Sequence, residues 1–410
     1  MLLYIDPGTG SMLFTVLIGV IGAAFYSLKM LFIKLKFTIS GGKVKANDEK
    51  IPFVIFADDK RYWSIFEPIC KEMDSRGKKV VYMTMSEDDP GLDNPYENVD
   101  GQYIGSGNKA FAKLNFLKAN IVLSTTPGLD VYQWKRSKYV DYYVHIPHAA
   151  SDITLYRMFG IDYYDAILLS GEYQAEDIRR LEELRNLPKK ELYKIGIPYM
   201  DVMADRLHRE GPVKNSERTV LLAPSWGKSA IFGVYGGRII EALQKTGYNI
   251  IVRPHPQSFA SEKELMDELM AKYPESDKLE WNKDRDNFDV LRRSDILITD
   301  FSGVIFDFTL IYDKPIIYTD PKIDLSCYDA WWLDGKIWTT GALPRLGQEL
   351  KADSLDNIKE IIDACITDTS YGKGRESVLN ETWEYKGEGA ARTTEYLLKK
   401  YQELTAKEEK

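Results

Sequence analysis

From Ile51 onward, short runs of apolar, β-branched and aromatic residues alternate with longer helical stretches, the pattern of a mostly parallel sheet covered by helices. The first series predicts strands over 52–56 (PFVIF), 79–83 (KVVYM), 121–124 (IVLS), 142–146 (YYVHI) and 166–170 (AILLS). A second series predicts 219–223 (TVLLA), 249–253 (NIIVR), 296–299 (ILIT) and 315–318 (PIIY). Between them the charged, Gly- and Pro-containing stretch 205–216 reads as a linker. The fold class expected is α/β, with Rossmann-like βα domains over 46–207 and 208–400. Their strands' carboxyl ends would open into one cleft, where such folds bind ligands. The last helical stretch, 376–410, either packs back across the cleft or caps the second domain.

Ahead of this body, residues 12–28 carry no charge, and apolar character resumes after Lys29 as far as Ile33. A helix over 12–33 would reach about 33 Å at ~1.5 Å per residue, enough to cross a hydrocarbon core. Asp6 precedes it and Lys29, Lys34, Lys36, Lys43 and Lys45 follow, so the body is expected on the cytoplasmic side. Residues 1–45 are therefore predicted to form a hydrophobic helix at the cytoplasmic membrane, spanning it or lying on it. A signal peptide fits less well, because the basic residues lie on the wrong side.

With 410 residues, 44% hydrophobic and 28% charged, the chain can bury more than one core. A formal net charge of −8 argues against a nucleic-acid partner. Cys70, Cys327 and Cys365 lie far apart in no CxxC pair, which points to neither disulfides nor a thiolate metal site.

Four windows carry candidate chemistry. In 294–307 (SDILITDFSGVIFD) a strand ends at Asp300, and Ser302 and Gly303 open an apolar helical stretch. Ser302 is a good N-cap, Gly303 lets a ligand approach the backbone, and the helix start offers N–H groups to a diphosphate. Asp307 either reaches a ribose hydroxyl in the cleft or is a solvated or locally paired carboxylate. Next, Arg253-Pro254-His255-Pro256 follows an apolar run, and its prolines fix the direction of His255. His255 can donate to a phosphoryl oxygen, while Arg253 supplies a guanidinium or a structural ion pair. The third window is His145-Ile146-Pro147-His148, where His148, further past the strand end, suits a general base and His145 faces the core or orients its neighbour. No third or fourth ligand accompanies the HxxH pair, so no metal is expected. Finally, 223–229 (APSWGKS) ends like a P-loop, but position 222 is leucine where that motif needs glycine, leaving Ser225 and Lys228 to steer a phosphate or line a solvent loop. The GxGxxA outline at 105–110 opens no clear dinucleotide unit, and no cofactor is expected.

Across 219–318 these motifs resemble the CDP-glycerol glycerophosphotransferase family, the teichoic-acid polymerases and primases of GT-B fold. The resemblance extends to His148 and to Ile195-Gly196-Ile197-Pro198 with Asp201. It implies two Rossmann-like domains facing across a cleft, His148 as base, His255 on the phosphate, and Ser302 and Gly303 at the diphosphate. The implied reaction moves a polyol phosphate from a CDP-linked donor to a lipid-linked acceptor at the membrane. Departures fall where the family usually has glycine and threonine after the first histidine, here Ala149 and Ala150, and a second serine at Gly303. Another falls where an arginine commonly follows the Pro-Thr-Trp segment; Gly227 and Lys228 stand there. The rival expectations are a GT-B glycosyltransferase using a nucleotide sugar and a non-catalytic nucleotide-binding envelope scaffold.

Overall fold

Two all-parallel sheets organise the chain, as seen in a computed structural model that describes residues 50–408 apart from 285, 320–322 and 336. The first sheet comprises β1 (Ile51–Ala57), β2 (Val80–Thr84), β3 (Val99–Tyr103), β4 (Ala119–Ser124), β5 (Val140–His145), β6 (Ala166–Leu169) and β7 (Glu191–Lys194), in the order β3-β2-β1-β4-β5-β6-β7. The second comprises β8 (Thr219–Leu222), β9 (Asn249–Val252), β10 (Leu279–Trp281), β11 (Ile296–Thr299), β12 (Ile316–Tyr318) and β13 (Gly347–Glu349), in the order β10-β9-β8-β11-β12-β13. Every central strand is apolar on both faces because helices cover both faces, as a parallel sheet requires.

Strand order decides where the ligand crevices lie. The order in which successive strands are added changes side between β1 and β4 in the first sheet and between β8 and β11 in the second. At such switch points the loops leaving adjacent strands splay to opposite sides and open a crevice. The expected linker is shorter than the sequence implied. The helix Pro198–Glu210 runs through its first half, supported by an Arg206–Glu210 ion pair one turn apart, and ends at Gly211 with φ 72°.

The two lobes share one core. Ala150, Ile197 and Met200, from the first half of the chain, are buried in the same cluster as Leu221, Ile305, Phe306 and Phe308. Ile51–Lys410 accordingly forms one compact unit. The last helix, Gly389–Glu408, crosses back to the first sheet, where Tyr396 and Leu397 are buried with Phe53, Ile55 and Phe66. Asp201 fixes that crossing: its carboxylate accepts from the Trp383 indole (2.8 Å) and from the amides of Gly387 (2.7 Å) and Gly389 (2.9 Å).

The expectation of a cytoplasmic-membrane protein held by an N-terminal span is corrected. No helix among the described residues is long and apolar enough to cross a membrane, and residues 12–33 lie outside them. The longest described helix, Gly389–Glu408, interleaves its apolar positions with lysine, glutamate and threonine, whereas a span needs about 20 mostly apolar residues.

Candidate active site

On the second lobe, β11 ends at Asp300, whose buried carboxylate accepts from the amides of Ser225 (3.0 Å), Ile231 (3.0 Å) and Phe301 (2.8 Å). One side chain thus ties the loop after β8 to the loop after β11. Burial raises its pKa, and the three N–H bonds oppose that rise. Ser302 and Gly303 follow directly. The Ser302 hydroxyl accepts weakly from Val304 N–H (3.5 Å), and the first backbone bonds of the turn run from Ile305 and Phe306 to the carbonyls of Ser302 and Gly303. The amides of Ser302 and Gly303 precede those bonds and are the donors left for an anion. Downstream the apolar stretch is α-helical over Val304–Phe306 and continues as a π-helical turn over Asp307–Ile311.

Gly303 needs no unusual backbone, since its φ is −59°. A Cβ at this position would stand 3.4 Å from the Cβ of Ala149, the residue after His148, which is ordinary contact. The helix start therefore lies beside the His148 loop.

His148 follows β5 and is half-buried. Its ring lies 5.4 Å from that of Tyr62, and its Nδ1 stands 3.3 Å from the Tyr156 hydroxyl. Burial, with the nearby Arg61 charge, lowers its pKa to about 4. His145, the last residue of β5, is fully buried, and its pKa falls to about 3 for the same first cause. His255 caps the helix Pro256–Ser261, with Pro256 at its first position; the prolines thus start a helix as well as ending the strand. The backbone N–H of Gln257 donates to His255 Nδ1 (3.1 Å), so a neutral His255 carries its proton on Nε2. Burial first, and Arg61 second, lower its pKa as well.

Arg61 is the residue that motif reading missed. It lies in the short turn Lys60–Tyr62 at the carboxyl end of β1, on the switch point of the first sheet. Its guanidinium sits over the Tyr62 ring at 5.2 Å, and its side chain is 55% exposed. One cation from the first lobe thus acts on both His148 and His255. Strand order, had it been known, would have singled out this turn.

Two expected site residues are committed to protein partners. The Arg253 guanidinium holds the 282–286 loop, donating to the Asn282 side chain and to the carbonyls of Asp284 and Asp286 (3.1 Å each), so it takes the structural role. Asp307 accepts from the Tyr199 hydroxyl (2.7 Å) and the Asn287 amide (3.1 Å), which makes it a locally paired carboxylate. Burial raises its pKa to about 6. Ser225 is buried against Asp300, while Lys228 is exposed at the cleft-side loop.

The arrangement offers an anion seat at a helix start, a histidine N–H donor, an exposed guanidinium, and an imidazole neutral at pH 7. That set suits transfer of a phosphoryl group.

Comparison with known proteins bears on this site. Residues 160–334 match the family model for CDP-glycerol:poly(glycerophosphate) glycerophosphotransferase. That range holds Ser225, His255, Ser302 and Gly303, whereas Arg61 and His148 precede it. No curated protein matches the chain. Among solved structures, the wall teichoic acid polymerase TagF superposes with a TM-score of 0.57 at 15% identity, covering 86% of this chain and 90% of that one. A variant of the same polymerase soaked with CDPG matches at 0.56 and 14% identity, with coverages of 93% and 99%. The UDP-GlcNAc 2-epimerase of Methanocaldococcus jannaschii, in complex with UDP-GlcNAc and UDP, matches at 0.56 and 12% identity, with coverages of 85% and 99%. At these identities the structural matches speak to the fold, which is the GT-B-like arrangement of two parallel α/β lobes.

Proposed function

We propose, from the premise that the chain belongs through residues 160–334 to the CDP-glycerol:poly(glycerophosphate) glycerophosphotransferase family, that it moves a polyol phosphate from a CDP-linked donor to an acceptor hydroxyl. It is a transferase of that family. The acceptor we assign is lipid-linked, in the synthesis of a teichoic-acid-like envelope polymer.

In this reading the acceptor oxygen attacks the phosphorus of the polyol phosphate. The new O–P bond forms as the bridging P–O bond breaks, CMP leaves, and the hydroxyl proton passes to His148 Nε2. The amides of Ser302 and Gly303 hold the diphosphate, and Lys228, exposed in the loop after β8, steers it. His255 donates its Nε2–H to the phosphoryl oxygen that gains charge, and Arg61 offsets the dianion from the first lobe.

The observation that supports this most is the approach of Gly303 to Ala149, because it sets an anion seat against the loop of a neutral imidazole. The test is CMP release from CDP-glycerol in EDTA, with a panel of CDP-polyols and nucleotide sugars. Turnover with a CDP-polyol in EDTA supports the reading. No turnover with any CDP-polyol, complete metal dependence, or transfer of a sugar would each overturn it.

A further inference from the structure

The segment between β5 and β6 carries a tyrosine that the reaction above does not use. The Tyr156 hydroxyl lies 3.2 Å from Nε2 of His145 and 3.3 Å from Nδ1 of His148. Its ring is edge-on to His145 at 5.3 Å and tilted to His148 at 5.7 Å. One phenolic proton serves two imidazole nitrogens, so the bridge has a direction: Tyr156 donates to one ring and accepts from the other.

The direction decides the chemistry of His148. If Tyr156 donates to His148 Nδ1, the His148 proton sits on Nε2 and that atom cannot take another while the ring is neutral. If Tyr156 donates to His145 Nε2, His148 donates its Nδ1–H to the phenol and keeps a lone pair on Nε2.

We propose that the bridge runs the second way, making Tyr156 a positioning residue that holds His148 in the Nδ1–H tautomer, with buried His145 as its acceptor. The inference rests on the reading of His148 as the base. Three observations bear on it. His145 is fully buried, so it is kept neutral and presents a lone pair as readily as a proton. Its Nδ1, where the proton must then sit, has no hydrogen-bond partner, which is the cost of this arrangement, and the backbone of Ser124 is the neighbouring group that favours a proton on the ring. Burial raises the Tyr156 phenol well above its ordinary value, so it stays a neutral link that passes orientation and no charge. When His148 takes the acceptor proton, the imidazolium keeps its Nδ1–H on Tyr156, and nothing needs to rearrange. His255 holds the opposite tautomer through Gln257, so the cleft faces one imidazole lone pair and one imidazole N–H.

The test reads tautomers directly. The full chain has four histidines, few enough to assign by nitrogen-15 spectra with single His→Gln variants. At neutral pH, His148 is expected with its proton on Nδ1 and His255 with its proton on Nε2. A proton on Nε2 of His148 would overturn the proposal, and this measurement on the wild type does not depend on any variant folding. In the kinetic arm, Tyr156→Phe is expected to lower kcat roughly 10- to 100-fold, part of what a general base supplies, with donor KM changed less than about twofold. The acid limb of its kcat profile is expected at lower pH, because the phenol stabilises the imidazolium. Asp58, Arg61, Tyr62 and Tyr164 also face this cluster and are present in both proteins, so the comparison isolates the phenol. Turnover retained in His148→Ala removes the base reading itself. An inactive His148→Ala beside a Tyr156→Phe that matches wild type in kcat and pH profile removes the bridge alone.

Discussion

A neutral imidazole with a pKa near 4, as at His148, is a feeble base; the structure supplies the cause, and the proposed donor would supply the remedy. Burial comes first, and the Arg61 guanidinium adds to it. A bound diphosphate neutralises that cation and brings negative charge of its own, both of which favour imidazolium. The sign follows: the folded pKa lies below the ordinary value, so the free enzyme keeps its base form down to about pH 4, and donor binding moves the limit upward. The acid limb of kcat, which reports the complex, is therefore expected at higher pH than the acid limb of kcat/KM, which reports the free enzyme. Coincident limbs would count against it. Replacing Arg61 with glutamine removes the shared cation. We expect donor KM to rise about tenfold, of the order of one charge-assisted contact, and the acid limb of kcat/KM to move to higher pH. Unchanged donor KM would separate Arg61 from the phosphate. None of this was written in a motif. Arg61 sits in Asp-Asp-Lys-Arg-Tyr, which reads as a solvated charge run until strand order places it at a switch point. Arg253 and Asp307 were legible as residues but not as roles, because their partners Asn282, Asp284, Asp286, Tyr199 and Asn287 lie 20 or more positions away.

At the scale of elements, the interior of both sheets was legible and the rim was not. The predicted strands correspond to β1, β2, β4, β5 and β6 in the first sheet and to β8, β9, β11 and β12 in the second. The four left unread, β3 (VDGQY), β7 (ELYK), β10 (LEW) and β13 (GQE), are the four edges. The reason is burial: an interior strand of a parallel sheet is covered on both faces and reads as a continuous apolar run, while an edge strand is polar and short. The helical stretch after Ser302 was legible, but an apolar run alone does not report the widening at Asp307. That carboxylate gives a stability prediction. Its native pKa, raised by burial to about 6, exceeds the ordinary value near 4, so between those pH values the native state holds more protons than the unfolded chain. Stability through this group therefore increases as pH falls from about 6 to about 4, and is withdrawn as pH rises through 6. Asp307→Asn keeps an acceptor for Tyr199 and cannot ionise. The wild-type minus variant difference in denaturant midpoint is expected to slope across that window, and a flat difference would refute the assignment.

At the scale of the whole molecule, the question is whether two sheets make two folding units. Their clasps argue for one. Asp152, after β5, accepts from the amide and hydroxyl of Thr339 and from the amide of Trp338, capping a helix that belongs to the second sheet. Arg185, buried at 4%, pairs with Asp162 of its own lobe and with Asp329 of the other. Beneath both lies the shared apolar cluster of Ala150, Ile197 and Met200 with Ile305 and Phe306, while the last helix returns to the first sheet and ties the second lobe's exit to it. Unfolding the second lobe alone would strand the buried Asp152, and unfolding the first alone would strand the buried Asp329, and such orphaned charges cost several kcal/mol each. Calorimetry should therefore show one cooperative transition and not two. If the proposed function holds, CDP should raise that single midpoint, with a gain of about 2.7 kcal/mol when ligand stands at a hundredfold excess over Kd. Two separate transitions, with only the later responding to CDP, would show that the lobes fold independently and that nucleotide is held by the second lobe without the first.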